Sequence, residues 1–243
     1  MSERFPFPPI VEAVIEVRLE AAVEEAQKEK IAKKLAKHYP NKRIQINKGI
    51  NVNLEVEKVS IANAGTVVTL SNEDQNELLL LGPDGIAVSQ LALYSSWEVF
   101  FKRFQRDWAA WKAVSGHQKI NQIGMRFVNR IDVPLVDHVA RHEDYLTLRI
   151  QLPNEYPDTI GYSLMARVPL NENQCIATIN SGAVPSPIPD HTGILLDIDI
   201  IRQVDVPQKD SDIKALLEVM RHAKNAIFQS LITDTARDKF RSG

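Results

Sequence analysis

This chain has almost no cysteine, no surplus of charge and no long apolar run, and each shortage excludes a class. Its one cysteine, Cys175, rules out an intramolecular disulfide and fits a reducing compartment. Cys175 lies in the apolar run Gln174 to Ile179, so a buried structural thiol is expected rather than a nucleophile. Net charge is −2, so the basic surplus of a typical duplex binder is missing. No run reaches the ~18 apolar residues of a membrane-spanning helix. The first residues, Met-Ser-Glu-Arg-Phe-Pro-Phe-Pro-Pro, lack the basic-then-apolar order of a signal peptide. A cytoplasmic, membrane-free protein is therefore expected. Walker A, Gly-x-Gly-x-x-Gly, Gly-x-Ser-x-Gly, Cys-x-x-Cys and His-Glu-x-x-His are all absent. That lowers the prior for an enzyme without excluding one, because triads assemble from distant positions.

Aromatic residues make up only 7% of the chain, yet they are concentrated. Trp97, Phe100, Phe101, Phe104, Trp108 and Trp111 fall on one helical face between Ser95 and Val114. Ser95 and Glu98 have the spacing of a capping box, and Ser115-Gly116 supplies a stop. So large an aromatic face must be core.

The rest of the chain reads as elements arranged around that helix. Ile10 to Leu19 alternates, with Val11, Ala13, Ile15, Val17 and Leu19 on one face and Glu12, Glu16 and Arg18 on the other: a half-buried strand. Ala21 to His38 is helical, with Val23, Ile31 and Leu35 inside and Lys28, Lys30, Lys33, Lys34 and Lys37 on a solvated face. Strands follow at 43–57, 59–70, 77–82 and 85–93, with turn chemistry at Asn63-Ala64-Gly65, at 71–74 and at 82–85. The second half repeats this order. A strand runs from Ile120 to Val133, with Ile123, Met125, Phe127 and Ile131 on one face and Gln122, Arg126 and Arg130 on the other. A short helix is expected at 136–144 and strands at 145–152, 160–169, 174–181 and 193–203. A long helix follows from 211 to 231, and Thr233-Asp234 caps a last turn.

The expected fold class is therefore α+β: two β-α-β4-α halves, at 1–116 and 117–243, forming a largely antiparallel curved sheet with long helices on one face. Such an internal duplication puts the two leading strands side by side in the middle of the sheet. The order resembles the TATA-binding-protein-like fold and, more loosely, helix-grip folds. Fold does not fix function.

Charge offers the one candidate site. Glu12, Glu16 and Arg18 would meet Arg126 and Arg130 if the leading strands are neighbours, and Asp197 and Asp199 share one strand face. Two readings apply: a charged surface that grips a partner, or cross-strand ion pairs on an exposed face. No metal or cofactor is expected. Asp197 and Asp199 lack a third ligand by spacing, and His138 and His142, four apart, lack partners. Ala183 to His191, rich in proline, is expected to be a stiff surface crossover or a loop that presents itself to a partner.

Three stretches carry a resemblance. Pro8-Pro9-Ile10-Val11-Glu12-Ala13-Val14-Ile15-Glu16-Val17-Arg18, Ile123-Gly124-Met125-Arg126-Phe127-Val128-Asn129-Arg130-Ile131, and the tail from Ile227-Phe228 through Ile232-Thr233-Asp234 to Phe240 resemble a sporadically distributed, uncharacterised bacterial protein family. Leu196-Asp197-Ile198-Asp199 also fits it. The resemblance implies a bacterial cytosolic protein and supplies no catalytic residues. Scattered occurrence is common among genes that move horizontally, defence and toxin–antitoxin genes included. The expected function is a non-enzymatic binding protein, an antitoxin, immunity or phage-defence component acting through a protein partner or self-association. The alternatives are an enzyme with a pocket between sheet and helices, or a nucleic-acid-binding saddle.

Overall fold

The computed structural model describes residues 5–53, 58–135, 141–149, 153 and 161–242. The fold is α+β, built on a nine-stranded antiparallel sheet. Strand β1 (Ile10–Leu19) has the expected span and phase. Ala13, Ile15, Val17 and Leu19 are buried, and Glu12 and Glu16 alternate with them on the other side. Helix α1 (Glu25–Leu35) is shorter than expected. Glu24 stops it on the N-terminal side, its N–H donating to Gln27 Oε1 at 3.0 Å. Val23 therefore lies outside the helix, though it is buried.

Strands β2 (Asn41–Asn53) and β3 (Lys58–Ser71) form a long hairpin. The turn expected at Asn63-Ala64-Gly65 is instead a bulge inside β3. Asn47 pairs with Gly65 but Lys48 pairs with Asn63, leaving one residue over. Gly65 takes φ +102° there, which other residues rarely adopt. Asn72 organises the next turn, its Oδ1 accepting from the N–H groups of Asn76 and Glu77 at 3.0 Å each. Strands β4 (Glu77–Leu81) and β5 (Gly85–Leu91) then pair as a hairpin. A Cβ on Gly85 would stand 2.2 Å from Val17 O, so only glycine lets β5 approach β1 here.

Helix α2 (Trp97–Ser115) carries the aromatic stripe, and all six rings are buried. Ser96, not Ser95, is the cap: its Oγ accepts from Val99 N–H at 3.3 Å. The helix, starting at Trp97, therefore begins one residue later than the Ser95–Glu98 spacing implied. Gly116, at φ +72°, ends the helix.

Strand β6 (Ile120–Pro134) buries Ile123, Met125, Phe127, Ile131 and Val133. Of the helix expected at 136–144, the described part is one 3-10 turn, His142–Asp144; residues 136–140 lie outside the described residues. The strand expected at 145–152 contributes a single bridge, Leu146 to Ile232, before the described residues stop at Arg149. Strands β7 (Ser163–Leu170), β8 (Cys175–Pro185) and β9 (His191–Arg202) follow, and β8 and β9 pair from Ile176↔Ile201 to Pro185↔Thr192. The proline-rich segment is thus a hairpin tip, not a crossover. Helix α3 (Asp210–Leu231) buries Ile213, Leu217, Met220 and Phe228. Helix α4 (Asp234–Ser242) buries Ala236 and Phe240, with Thr233 Oγ accepting from Ala236 N–H at 3.4 Å.

The sheet order is β2-β3-β4-β5-β1-β6-β9-β8-β7. The leading strands β1 and β6 are central neighbours, as the duplication reading required. Two compact units divide the chain, residues 14–123 and residues 1–13 with 124–243. The boundaries fall inside β1, after Ala13, and inside β6, after Ile123, so each unit contains part of both strands. In the first, Glu20 N–H donates to Lys119 O at 2.9 Å; in the second, Arg130 N–H donates to Pro9 O at 2.8 Å. No helix among the described residues is long and apolar enough to cross a membrane.

Candidate binding face

In the unit of residues 1–13 and 124–243, alternation divides the sheet's two faces. Ala177, Ile179, Ile194, Leu196, Ile198 and Ile200 are buried core. Their sequence neighbours lie on the opposite face. Register lines them up, because residues directly opposite in an antiparallel pair share a face. Met165 opposes Asn180, and Asn180 opposes Asp197. Arg167 opposes Thr178, and Thr178 opposes Asp199.

Arg126 of β6 completes this row. Its guanidinium donates twice to Asp197, from Nε at 2.8 Å and from NH2 at 2.9 Å. Asn180 Nδ2 donates to the same carboxylate at 3.1 Å. Asp197 is buried, whereas the Arg126 side chain is 48% exposed. The geometry is a fixed bidentate fork, anchored below and open above. The bonds it donates to Asp197 raise the Arg126 pKa above its ordinary value; partial burial opposes this, and Glu12 and Asp199 add to the rise. Arg130 forms a second pair with Asp132, NH2 to Oδ1 at 2.8 Å. Gly193 lies beneath it: a Cβ there would meet Arg130 Nε at 3.2 Å and Val184 Cγ2 at 2.8 Å.

Arg126 and Arg130, the expected partners of Glu12 and Glu16, each bond an aspartate. Asp197 and Asp132 receive the direct guanidinium bonds, and Glu12 acts on Arg126 as a further negative charge. Glu16 belongs to the other unit, where it pairs with Arg18 at 3.1 Å and accepts from Gln122 Nε2 at 3.2 Å. Arg18 also stands 3.9 Å from Asp84. Asp132 was legible as the i+2 neighbour of Arg130. Asn180 was not, since only the register of β8 against β9 reveals it.

Several buried polar groups escaped the sequence pattern. Asp107, 0% exposed, accepts from Tyr39 Oη at 2.6 Å and from Arg106 Nε at 2.8 Å. Arg103 NH2 reaches Ser89 O at 2.8 Å, tying α2 to β5. Burial, and then the Asp107 charge, push the Tyr39 pKa far up. Lys28, assigned to a solvated face, is buried; its Nζ reaches Glu25 Oε1 at 2.8 Å and Thr66 O at 2.5 Å. Lys224 is buried on α3 with its ammonium 4.0 Å from the Phe127 ring centroid. Burial, and then nearby Arg221, push its pKa down to about 8. Cys175 is buried as expected, and burial raises its thiol pKa against an opposing effect of Arg202.

Among the described residues, no group of three or more His, Cys, Asp or Glu side chains stands together as a metal site. His138 lies outside the described residues, so the His138/His142 pair has no described geometry. No family model and no curated protein matches the chain.

Proposed function

We propose that the chain is a non-enzymatic binding protein whose Arg126–Asp197 face meets a protein partner. The observation that carries this reading is the half-exposed Arg126 fork, held in one orientation and in line with Met165, which is 71% exposed. Arginine and methionine are enriched in protein interfaces, and a pre-oriented side chain loses little entropy on binding. Half-buried Leu195 and Ile201 on the same strand face supply apolar area around the charges. The described residues of this face carry no aromatic ring on which bases could stack, which favours a protein over a nucleic acid. An antitoxin, immunity or phage-defence role, read from the family resemblance, is the biological setting that such a face suits.

A photocrosslinking residue placed at Met165 in cells tests the reading, with Val204, also well exposed, as control. The expected result is one discrete protein adduct from position 165, absent from 204 and weakened by Arg167→Glu. Equal adducts at both positions, or none at 165, would refute it.

A further inference from the structure

We propose that β2, in the unit of residues 14–123, takes an extended acidic segment of a partner protein as an added strand. This surface belongs to the other unit from the Arg126 face, so either proposal can fail without the other.

The two terminal strands of the sheet differ in how they are guarded. β7 is eight residues long and contains Pro169, which removes a backbone donor. β2 is thirteen residues long and has no proline. As a terminal strand it pairs only with β3, so its outer N–H and C=O groups have no strand partner among the described residues. Asn41 to Ile46 are exposed without interruption. Such an edge is a template for another strand.

The side chains define what fits. Ile44 and Ile46, 54% and 63% exposed, share a face with Lys42. Ile44 pairs with Val68, which is buried. The apolar layer of this unit therefore runs out to β2 and ends there uncovered. On the opposite face, between the two isoleucines and Lys42, lies Arg43. The charged residues of β2 are Lys42, Arg43 and Lys48, and the strand has no acid. Lys42 is bonded to Glu29 of α1. A second copy pairing through this edge would set like charges against each other, which is unfavourable. An incoming strand of another protein, with β-branched residues opposite Ile44 and Ile46 and an acid opposite Arg43, meets both demands. Main-chain bonds would supply affinity and the side-chain alternation specificity.

The test uses a fluorescein-labelled peptide alternating valine and glutamate, with a valine–lysine peptide and a proline-interrupted peptide as controls. Fluorescence anisotropy should show the glutamate peptide binding about tenfold more tightly than either control, with binding weakened by salt. Hydrogen exchange should then slow at 42–46 and not at 163–170. Arg43→Glu, at an exposed position, should keep the melting temperature and reverse the preference toward the lysine peptide. Absence of a glutamate preference, or protection at β7 instead, would overturn the proposal. So would sedimentation showing a dimer that Ile46→Lys dissociates, since the occupant would then be a second copy.

Discussion

Replacing Lys224 by methionine should stabilise the protein, and the gain should depend on pH in a defined way. A lysine that titrates at 10.5 when unfolded and at about 8 when folded binds fewer protons in the folded state. Below pH 8 the folded protein holds a charge it would rather lose, and the cost is fully present. Lowering the pKa from 10.5 to about 8 corresponds to ~3 kcal/mol. The cost falls as pH rises from 8 toward 10.5 and is gone above that. Methionine fills the same space and keeps a favourable contact with the Phe127 ring, replacing a cation–π contact of similar size. Lys224→Met should therefore gain ~2–3 kcal/mol at pH 7 and almost nothing at pH 10.5. Urea unfolding of both proteins across this pH range reads the difference. All three tryptophans lie on α2, in the other unit, so far-UV circular dichroism is the proper signal. A variant less stable at pH 7, or a gain independent of pH, would show that the ammonium is hydrated and the reasoning wrong.

Other substitutions test other parts of the packing. Phe104→Ala should cost ~3–5 kcal/mol, followed by tryptophan fluorescence in denaturant; a loss below ~1 kcal/mol would mean that the aromatic face is not core. Tyr39→Phe removes the hydroxyl that donates to Asp107 and accepts from both arginines, so a loss of ~1–3 kcal/mol is expected by the same assay. Gly193→Ala forces Val184 aside and should lower the melting temperature, with Val184→Ala restoring most of the loss; no rescue would place the strain elsewhere.

Much of the fold was legible because its signals are local. β1 and β6 place apolar residues at alternate positions, broken in β6 by Asn129, and α2 places six large rings at helical spacing. The long helix α3 carries its apolar stripe in the same way. What escaped depends on neighbours far along the chain. Asp107 lies between Phe104 and Trp108 and looks like an ordinary polar helix position, but its partner Tyr39 is sixty-eight residues away. Lys28 sits in a run of lysines, and nothing local marks it as the one that turns inward to Thr66 O. The bulge at Gly65 carries the same residues as a turn, and only the length of the β2–β3 ladder separates the two. At the candidate face, residue types were readable and pairings were not. Arg126 bonds Asp197 of β9, its neighbour on one side, and only the strand order shows that β9 lies there.

The unit that combines residues 1–13 with 124–243 also sets a timetable for synthesis. Phe7 N–H donates to Phe240 O at 3.1 Å, and Phe5 meets the Phe240 ring edge-on with centroids 5.3 Å apart. A ribosome adding about 5–20 residues per second needs roughly ten to fifty seconds between these segments. Residues 14–123 emerge as one continuous stretch and can close on themselves during that wait. The opening segment cannot close fully, since Phe240, the partner of Phe5 and Phe7, is made last. During translation it is an unsatisfied strand end, and a nascent chain halted before Phe240 would leave that unit open while the other is already closed.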